Sequence, residues 1–201
     1  MHIVNVGYDS TNYYVIGTGP ARLLVDVGFP GTMFRLLHQL GTKGIAPRDI
    51  GYLLCTHYHP DHAGLAQEVK RLGVRLIVAD VQRAAVPALR RHIKPALPYR
   101  EIELDDAIWL TAATSRAFLG RIGVVGELAL TPGHSDDSVS LVLDGGAAFT
   151  GDLPPPLQSD EPEHRITAAS WRALTALGAR TIYPGHGPEQ PIDMMLADLA
   201  G

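Results

Sequence analysis

Three histidines and an aspartate fall within six residues, His57, His59, Asp61 and His62, inside the run THYHPDHAG from Thr56 to Gly64. Imidazole nitrogen and carboxylate oxygen are metal ligands. With no thiolate among them they suit zinc, and they leave iron or manganese open. Gly51 to Thr56 (GYLLCT) is a short apolar run and is predicted to be buried strand. Side chains two apart in extended backbone share a side, so His57 and His59 should point together. Pro60 disfavours helix for His59 before it but suits the first position of a helix that follows. That helix has Leu65, Val69 and Leu72 on one face and Gly73 as its stop, which puts Asp61 and His62 in its first turn. Four candidate ligands thus converge from local geometry alone.

The elements around this stretch alternate between strand and helix. Strands are expected at His2 to Val6, Asn12 to Ile16 and Leu23 to Val27, with Gly-rich turns between them. A helix is expected over Thr32 to Leu40, stopped by Gly41, and a strand over Arg75 to Ala79. Asp80 to His92 reads as a helix interrupted by Pro87. It carries Arg83, Arg90, Arg91 and His92, and its basic residues suit a solvated face or a flap that favours an anionic substrate. Strands are expected again from about Arg100 to Thr131, then at Val139 to Leu143 and Ala147 to Thr150. Asp144-Gly145-Gly146 between the last two is a hairpin signal. Leu153 to Glu163 is rich in Pro and acids and is expected to be an exposed loop. A helix at Ser170 to Leu177, a strand at Thr181 to Tyr183 and a helix at Ile192 to Leu199 close the chain. The pattern is α/β, and 201 residues make one domain, 1–201, the expectation.

Composition excludes several classes. A net charge of -4 and a pI near 6.1 give no general attraction to nucleic acid. The single cysteine, Cys55, excludes an internal disulfide, suits a reducing compartment, and reads as buried strand. No basic-then-apolar leader is visible at MHIVNVGYDS. No apolar run approaches the roughly 20 residues that span a bilayer. A cytoplasmic enzyme acting on a small molecule, away from membranes, is therefore the expectation.

Three further positions repeat one construction, a β-like run ending in a glycine turn that presents one ligand-type residue. Leu128 to Thr131 leads to Pro132-Gly133-His134, Ala147 to Thr150 to Gly151-Asp152, and Thr181 to Tyr183 to Pro184-Gly185-His186. Ligands at strand ends can gather along one edge of a sheet. Five of the nine histidines then sit at such positions, leaving His2, His38, His92 and His164 as surface or structural residues. His164 sits in the loop after Asp152, where it could still face the site.

Taken together, LVDVG with Asp26, THYHPDH, TPGHS, TGDL and PGHG form an ordered set that resembles the metallo-β-lactamase-fold superfamily. The resemblance runs from the first strands to His186. It implies a four-layer αβ/βα sandwich, two mixed sheets with helices on the outer faces and two metal ions, preferably zinc, at one edge. By the same analogy His57, His59 and His134 would hold one ion, and Asp61, His62 and His186 the other. Asp152 would bridge them and Asp26 would support the ligands from behind. The implied chemistry is hydrolysis by a bridging water that loses its proton near neutral pH, with Asp61 orienting the nucleophile and accepting that proton.

Departures from known branches narrow the substrate. β-Lactamases carrying HxHxDH generally lack an aspartate at the place of Asp152. Glyoxalase II shares the full ligand set but adds a helical C-terminal domain and places His and Tyr after TPGHS, where this chain reads DDSVSL. The persulfide dioxygenase branch has a GCGR-like stretch where this chain reads LPPPLQSDEP, and the homoserine-lactonase tyrosine after the aspartate is missing, leaving only Tyr183 nearby. An ester, thioester or lactone is the expected substrate. The rivals are persulfide oxygenation at a single iron and phosphodiester cleavage. Arg90, Arg91, His164 and Tyr183 are the candidate substrate contacts, with segments 80–99 and 153–164 as cleft walls.

Overall fold

The computed structural model describes residues 1–156 and 161–196. Its frame is two mixed sheets. The first is ordered β1 (Ile3–Asn5), β2 (Tyr14–Ile16), β3 (Arg22–Val25), β4 (Ile50–Leu54), β5 (Arg75–Ala79) and β6 (Ile108–Leu110). β1 to β3 pair antiparallel, and β3 to β6 pair parallel. The second contains β7 (Gly126–Leu130), β8 (Val139–Leu143), β9 (Ala147–Gly151), β10 (Thr181–Pro184) and β11 (Gln190–Pro191), in spatial order β11-β10-β9-β8-β7. The helices are α1 (Met33–Thr42), α2 (Pro60–Ala63), α3 (Ala66–Lys70), α4 (Ala85–Ala88), α5 (Ala112–Arg121), α6 (Pro162–Ala176) and α7 (Ile192–Leu196).

Successive strand residues point to opposite faces, and here both faces are covered. Val15, Leu24, Leu53, Leu76 and Val78 of the first sheet join Leu36 and Leu40 of α1 and Val69 of α3 in an outer core. Their neighbours Tyr14, Ile16, Leu23, Val25, Leu54 and Ile77 face Leu128, Leu141, Leu143 and Phe149 of the second sheet in a central core. On the far side of that sheet, Ala129, Val142, Ala148 and Ile182 meet Trp171 and Leu174 of α6 and Ile192 of α7. Three cores between four layers make the expected αβ/βα sandwich.

Several expected boundaries move. A helix, α5, occupies Ala112–Arg121, where strands were expected. Thr111 starts it by accepting from the Thr114 amide at 3.1 Å, but only Ser115 and Leu119 are buried on it, so its apolar stripe is thin. α1 does not stop at Gly41. The left-handed residue that ends it is Gly44 (φ 68°), and Ile45 then donates back to the Leu40 carbonyl at 2.9 Å. The expected Pro60 helix is broken at Gly64-Leu65 into α2 and α3. Residues 80–92 form two short 3-10 turns around α4, with Pro87 inside that helix. α6 starts at Pro162, well before Ser170, with proline in its first turn. The expected exposed loop after Asp152 is pinned at its start, where Leu153 is buried and the Trp171 indole donates to the Pro154 carbonyl at 2.7 Å. Residues 157–160 of that loop and 197–199 of the expected closing helix lie outside the described residues. The Asp144-Gly145-Gly146 hairpin joins β8 to β9, and Cys55 is buried.

Strand direction gathers the ligand-type residues. β3 and β4 are parallel, so Asp26 and His57 follow the same ends of neighbouring strands. β7 and β9 are each antiparallel to β8, and β10 is parallel to β9, so His134, Asp152 and His186 all leave one edge of the second sheet. The Val139 amide donates to the Thr56 carbonyl at 2.8 Å and joins that edge to the end of β4.

Trp171 fills the core under the second sheet and holds the loop after Asp152. Trp171→Ala should cost about 3–5 kcal/mol of unfolding free energy in chemical denaturation; a loss under about 1 kcal/mol would mean that α6 is not an anchor.

Candidate metal centre

Asp26 is the first fixed point. It is almost fully buried and left-handed (φ 63°), and its two carboxylate oxygens take three hydrogen bonds. Oδ1 accepts from the Thr56 amide at 2.6 Å; Oδ2 accepts from the Thr56 hydroxyl at 2.8 Å and from His62 Nδ1 at 2.9 Å. Because the Thr56 hydroxyl hydrogen goes to Asp26, its oxygen is left to accept from His57 Nδ1 at 3.2 Å. His186 Nδ1 donates to the Ser10 carbonyl at 2.6 Å. These contacts place the Nδ1 hydrogen of each ring and turn its Nε2 inward, where it offers a lone pair once the ring is neutral.

Those nitrogens meet the remaining candidate ligands. His57 Nε2 lies 3.1 Å from His59 Nδ1, which lies 2.9 Å from His134 Nε2. On the other side, Asp61 Oδ2 lies 3.5 Å from His62 Nε2 and 3.3 Å from His186 Nε2. Asp152 faces both sets. Its Oδ2 is 3.6 Å from His134 Nε2 and 3.4 Å from His186 Nε2, and its Oδ1 is 3.2 Å from His62 Nε2. His57, His59 and His134 form one group that could hold a metal ion, and Asp61, His62, Asp152 and His186 form a second. The donor set fits cations. His62 Nε2 and Asp152 Oδ1 are buried and, beyond their 3.2 Å ion-pair contact with each other, neither makes a hydrogen bond, which leaves both able to turn to a bound cation.

Two glycines make room for this packing. A Cβ on Gly185 would lie 2.3 Å from Asp152 Oδ1 and 2.6 Å from His62 Cε1. Gly151 has φ 54°, and a Cβ there would lie 2.4 Å from Thr56 Oγ1. Buried Gln82, which sequence reading passes over, donates to the Cys55 and Thr56 carbonyls at 2.9 and 3.2 Å and so holds the end of β4. Ser170 donates to the Pro132 carbonyl at 2.7 Å and steadies the turn before His134. Neither has a spacing signal, because each acts through backbone carbonyls.

None of the remaining candidates belongs to either group of clustered ligands. Tyr183 stacks on Phe149 at 5.1 Å and lines a cavity with Met1, Ile3 and Leu143 at the central core. His164 Nδ1 lies 3.8 Å from Glu161, and neither group of clustered ligands includes it. Arg90 donates to the Ile93 carbonyl at 3.3 Å, and Arg91 is exposed. His92, by contrast, comes to the site, with its ring centroid 5.5 Å from that of His59.

Residues 6–186 match the sequence model of the Metallo-beta-lactamase superfamily. The chain belongs to that superfamily. It is 31% identical over 184 residues to the lactamase-like protein nscB of Neosartorya fischeri, covering 88% of this chain and 48% of that protein. The metallo-beta-lactamase domain-containing protein 1 of Xenopus laevis is 28% identical over 183 residues, covering 85% and 68%. The chain thus spans about half the length of the fungal relatives it matches. Among solved structures, a metallo-beta-lactamase family protein of Thermus thermophilus superposes with a TM-score of 0.73 at 20% identity, covering 98% of this chain and 77% of that one. A B3 metallo-beta-lactamase with an active-site glutamic acid gives 0.70 at 20% identity, covering 98% and 85%. Among the described residues no helix is long and apolar enough to cross a membrane.

The two groups differ in protonation when free of metal. Burial, reinforced by the neighbouring histidines, pushes His57 down to about 2, and burial also lowers His59. Burial acts to lower His62 as well, but the Asp26 and Asp152 carboxylates outweigh it and push it up to about 10. A cation reaching His62 Nε2 must therefore displace a proton, whereas one reaching His57 meets a bare nitrogen. Metal uptake at the second group should release protons and strengthen as pH rises from 6 toward 10. Calorimetry in buffers of different ionisation heat reads this directly, and zero proton release would refute it. Asp26→Ala should weaken metal binding about 10–100-fold in a chelator competition, while unchanged affinity would remove Asp26 from its supporting role.

Proposed function

We propose that this chain is a hydrolase using two zinc ions to cleave an ester, thioester or lactone. The observation that carries the reading is Asp152, whose one carboxylate faces imidazoles of both groups. Two divalent cations in this set would polarise the scissile carbonyl and lower the pKa of a shared water from about 15.7 to about 7.

The chain's own residues do the rest. His57, His59 and His134 would hold one ion and Asp61, His62 and His186 the other, with Asp152 placed to serve both. Asp61 Oδ2 accepts from the Thr11 hydroxyl at 3.3 Å, which keeps the carboxylate aimed at the cluster, where it would orient a water nucleophile and take its proton. Asp26 fixes the tautomer of His62 directly and that of His57 through Thr56. His134 and His186 are solvent-exposed, so substrate enters between them. Structural zinc sites, by contrast, are closed and usually cysteine-rich. The 3-10 turn Leu89–His92 packs on α2 and walls the His59 side of the entrance. All these groups fall in residues 11–186, so a single catalytic domain accounts for the reading.

Asp152→Ala should lose at least one ion by elemental analysis and nearly all turnover, with the circular dichroism of the fold retained. Full activity with two ions would sink the proposal. Thioesters, lactones, phosphodiesters and β-lactams assayed side by side, with the metal content of each preparation, test the substrate class. Oxygen consumption with one iron per chain, or phosphodiester cleavage ahead of every ester, would replace hydrolysis of an acyl substrate.

A further inference from the structure

Beside the second group of ligands lies a polar groove of about 640 Å³, and the two share their walls. Thr11 lines the groove and donates to Asp61. Ser10 lines it and holds His186 through its carbonyl. Gly187 lines it and follows His186 in the chain. A molecule whose reacting carbonyl sits at the metal cluster therefore has a path along the β1–β2 loop toward the far end of α1.

The chemistry of that far end is specific. Asp9, the groove's carboxylate, is already paired with Arg35, which contacts both of its oxygens. Asn12 is committed to the Pro184 and Gly187 carbonyls, and Tyr8 to Thr32. Among the described residues, the lining groups left without a hydrogen bond or ion pair include the Ser10 hydroxyl, the Gln39 amide and the Lys43 ammonium. All three can donate, and one carries a positive charge.

We propose that this groove is a subsite for the anionic end of the substrate, with Lys43 receiving a carboxylate or phosphate carried on the part of the molecule remote from the scissile bond. The substrate is then an acidic ester or thioester. This rests on the hydrolase reading above. The preference arises from one cation at a surface groove, so it weakens as ionic strength rises. Lys43 caps the C-terminal end of α1 and belongs to neither group of clustered ligands, so its replacement removes no ligand from the metal centre.

Two measurements on the zinc-loaded protein test it. Amide shifts are followed by NMR during titration with adipate and suberate, with hexanoate as the single-carboxylate control. Dicarboxylates should shift Ser10, Gln39 and Gly187, and Lys43→Glu should weaken their binding about tenfold while leaving hexanoate unchanged. In turnover, S-acetyl-6-mercaptohexanoate should be preferred over its methyl ester, and Lys43→Glu should raise KM about tenfold for the acid alone. Shifts centred on Arg91 and His92, or equal behaviour of Lys43→Glu and the parent protein, would overturn the subsite. Dicarboxylate binding in the groove without hydrolysis of either thioester would instead overturn the hydrolase reading and leave the subsite standing.

Discussion

One buried carboxylate, Asp26, sets the geometry of everything around the metal centre. Three donors converge on it, two from Thr56 and one from His62, and they tie the end of β3 to the end of β4 and to the first turn of α2. A buried charge is tolerable only when its lone pairs are met, so these partners are not free to drift. The arrangement is directional as well as stabilising. By taking the Thr56 hydroxyl hydrogen, Asp26 decides which nitrogen of His57 carries a proton, and by facing His62 it decides the same for that ring. The inward orientation of these nitrogens is a consequence of a residue that belongs to neither group of clustered ligands.

Burial is uneven across the cluster, and protonation follows it. His57 and His62 are both buried, yet they move in opposite directions because His62 faces carboxylates and His57 faces other imidazoles. The two halves therefore present different electrostatic invitations to an ion. Solvent exposure increases toward His134 and His186, which come from the second sheet. The first sheet provides the dry floor, and the second provides the more exposed rim.

Much of this was legible in the sequence because strand ends and glycine turns leave a signature. His57, His59, Asp61 and His62 announce themselves by spacing, and Gly133, Gly151 and Gly185 mark the turns that present His134, Asp152 and His186. The Cβ-free approach of Gly185 to Asp152 shows why that turn carries glycine. Less was legible where the signal is long-range or weak. α5 buries only Ser115 and Leu119 and so gives little helical periodicity, although its Thr111 cap is present in the sequence. His92 reaches His59 only because the turn after α4 folds back on α2, which no local pattern around His92 reveals. Tyr183 shows how strand alternation redirects a residue close to a motif in sequence. It precedes a motif histidine by three positions, yet its half-buried ring stacks on Phe149 against the central core.

The hydrogen bond from His186 to Ser10 joins residues 176 apart in the chain, and the contact from His59 to His134 joins residues 75 apart. Loops of that length close late, after the sheets they belong to have formed. An ion arriving early would find the local His57–His62 cluster but neither completed group. The completed donor groups are thus a report on finished folding: only a chain whose two sheets have docked offers both sets of donors at once.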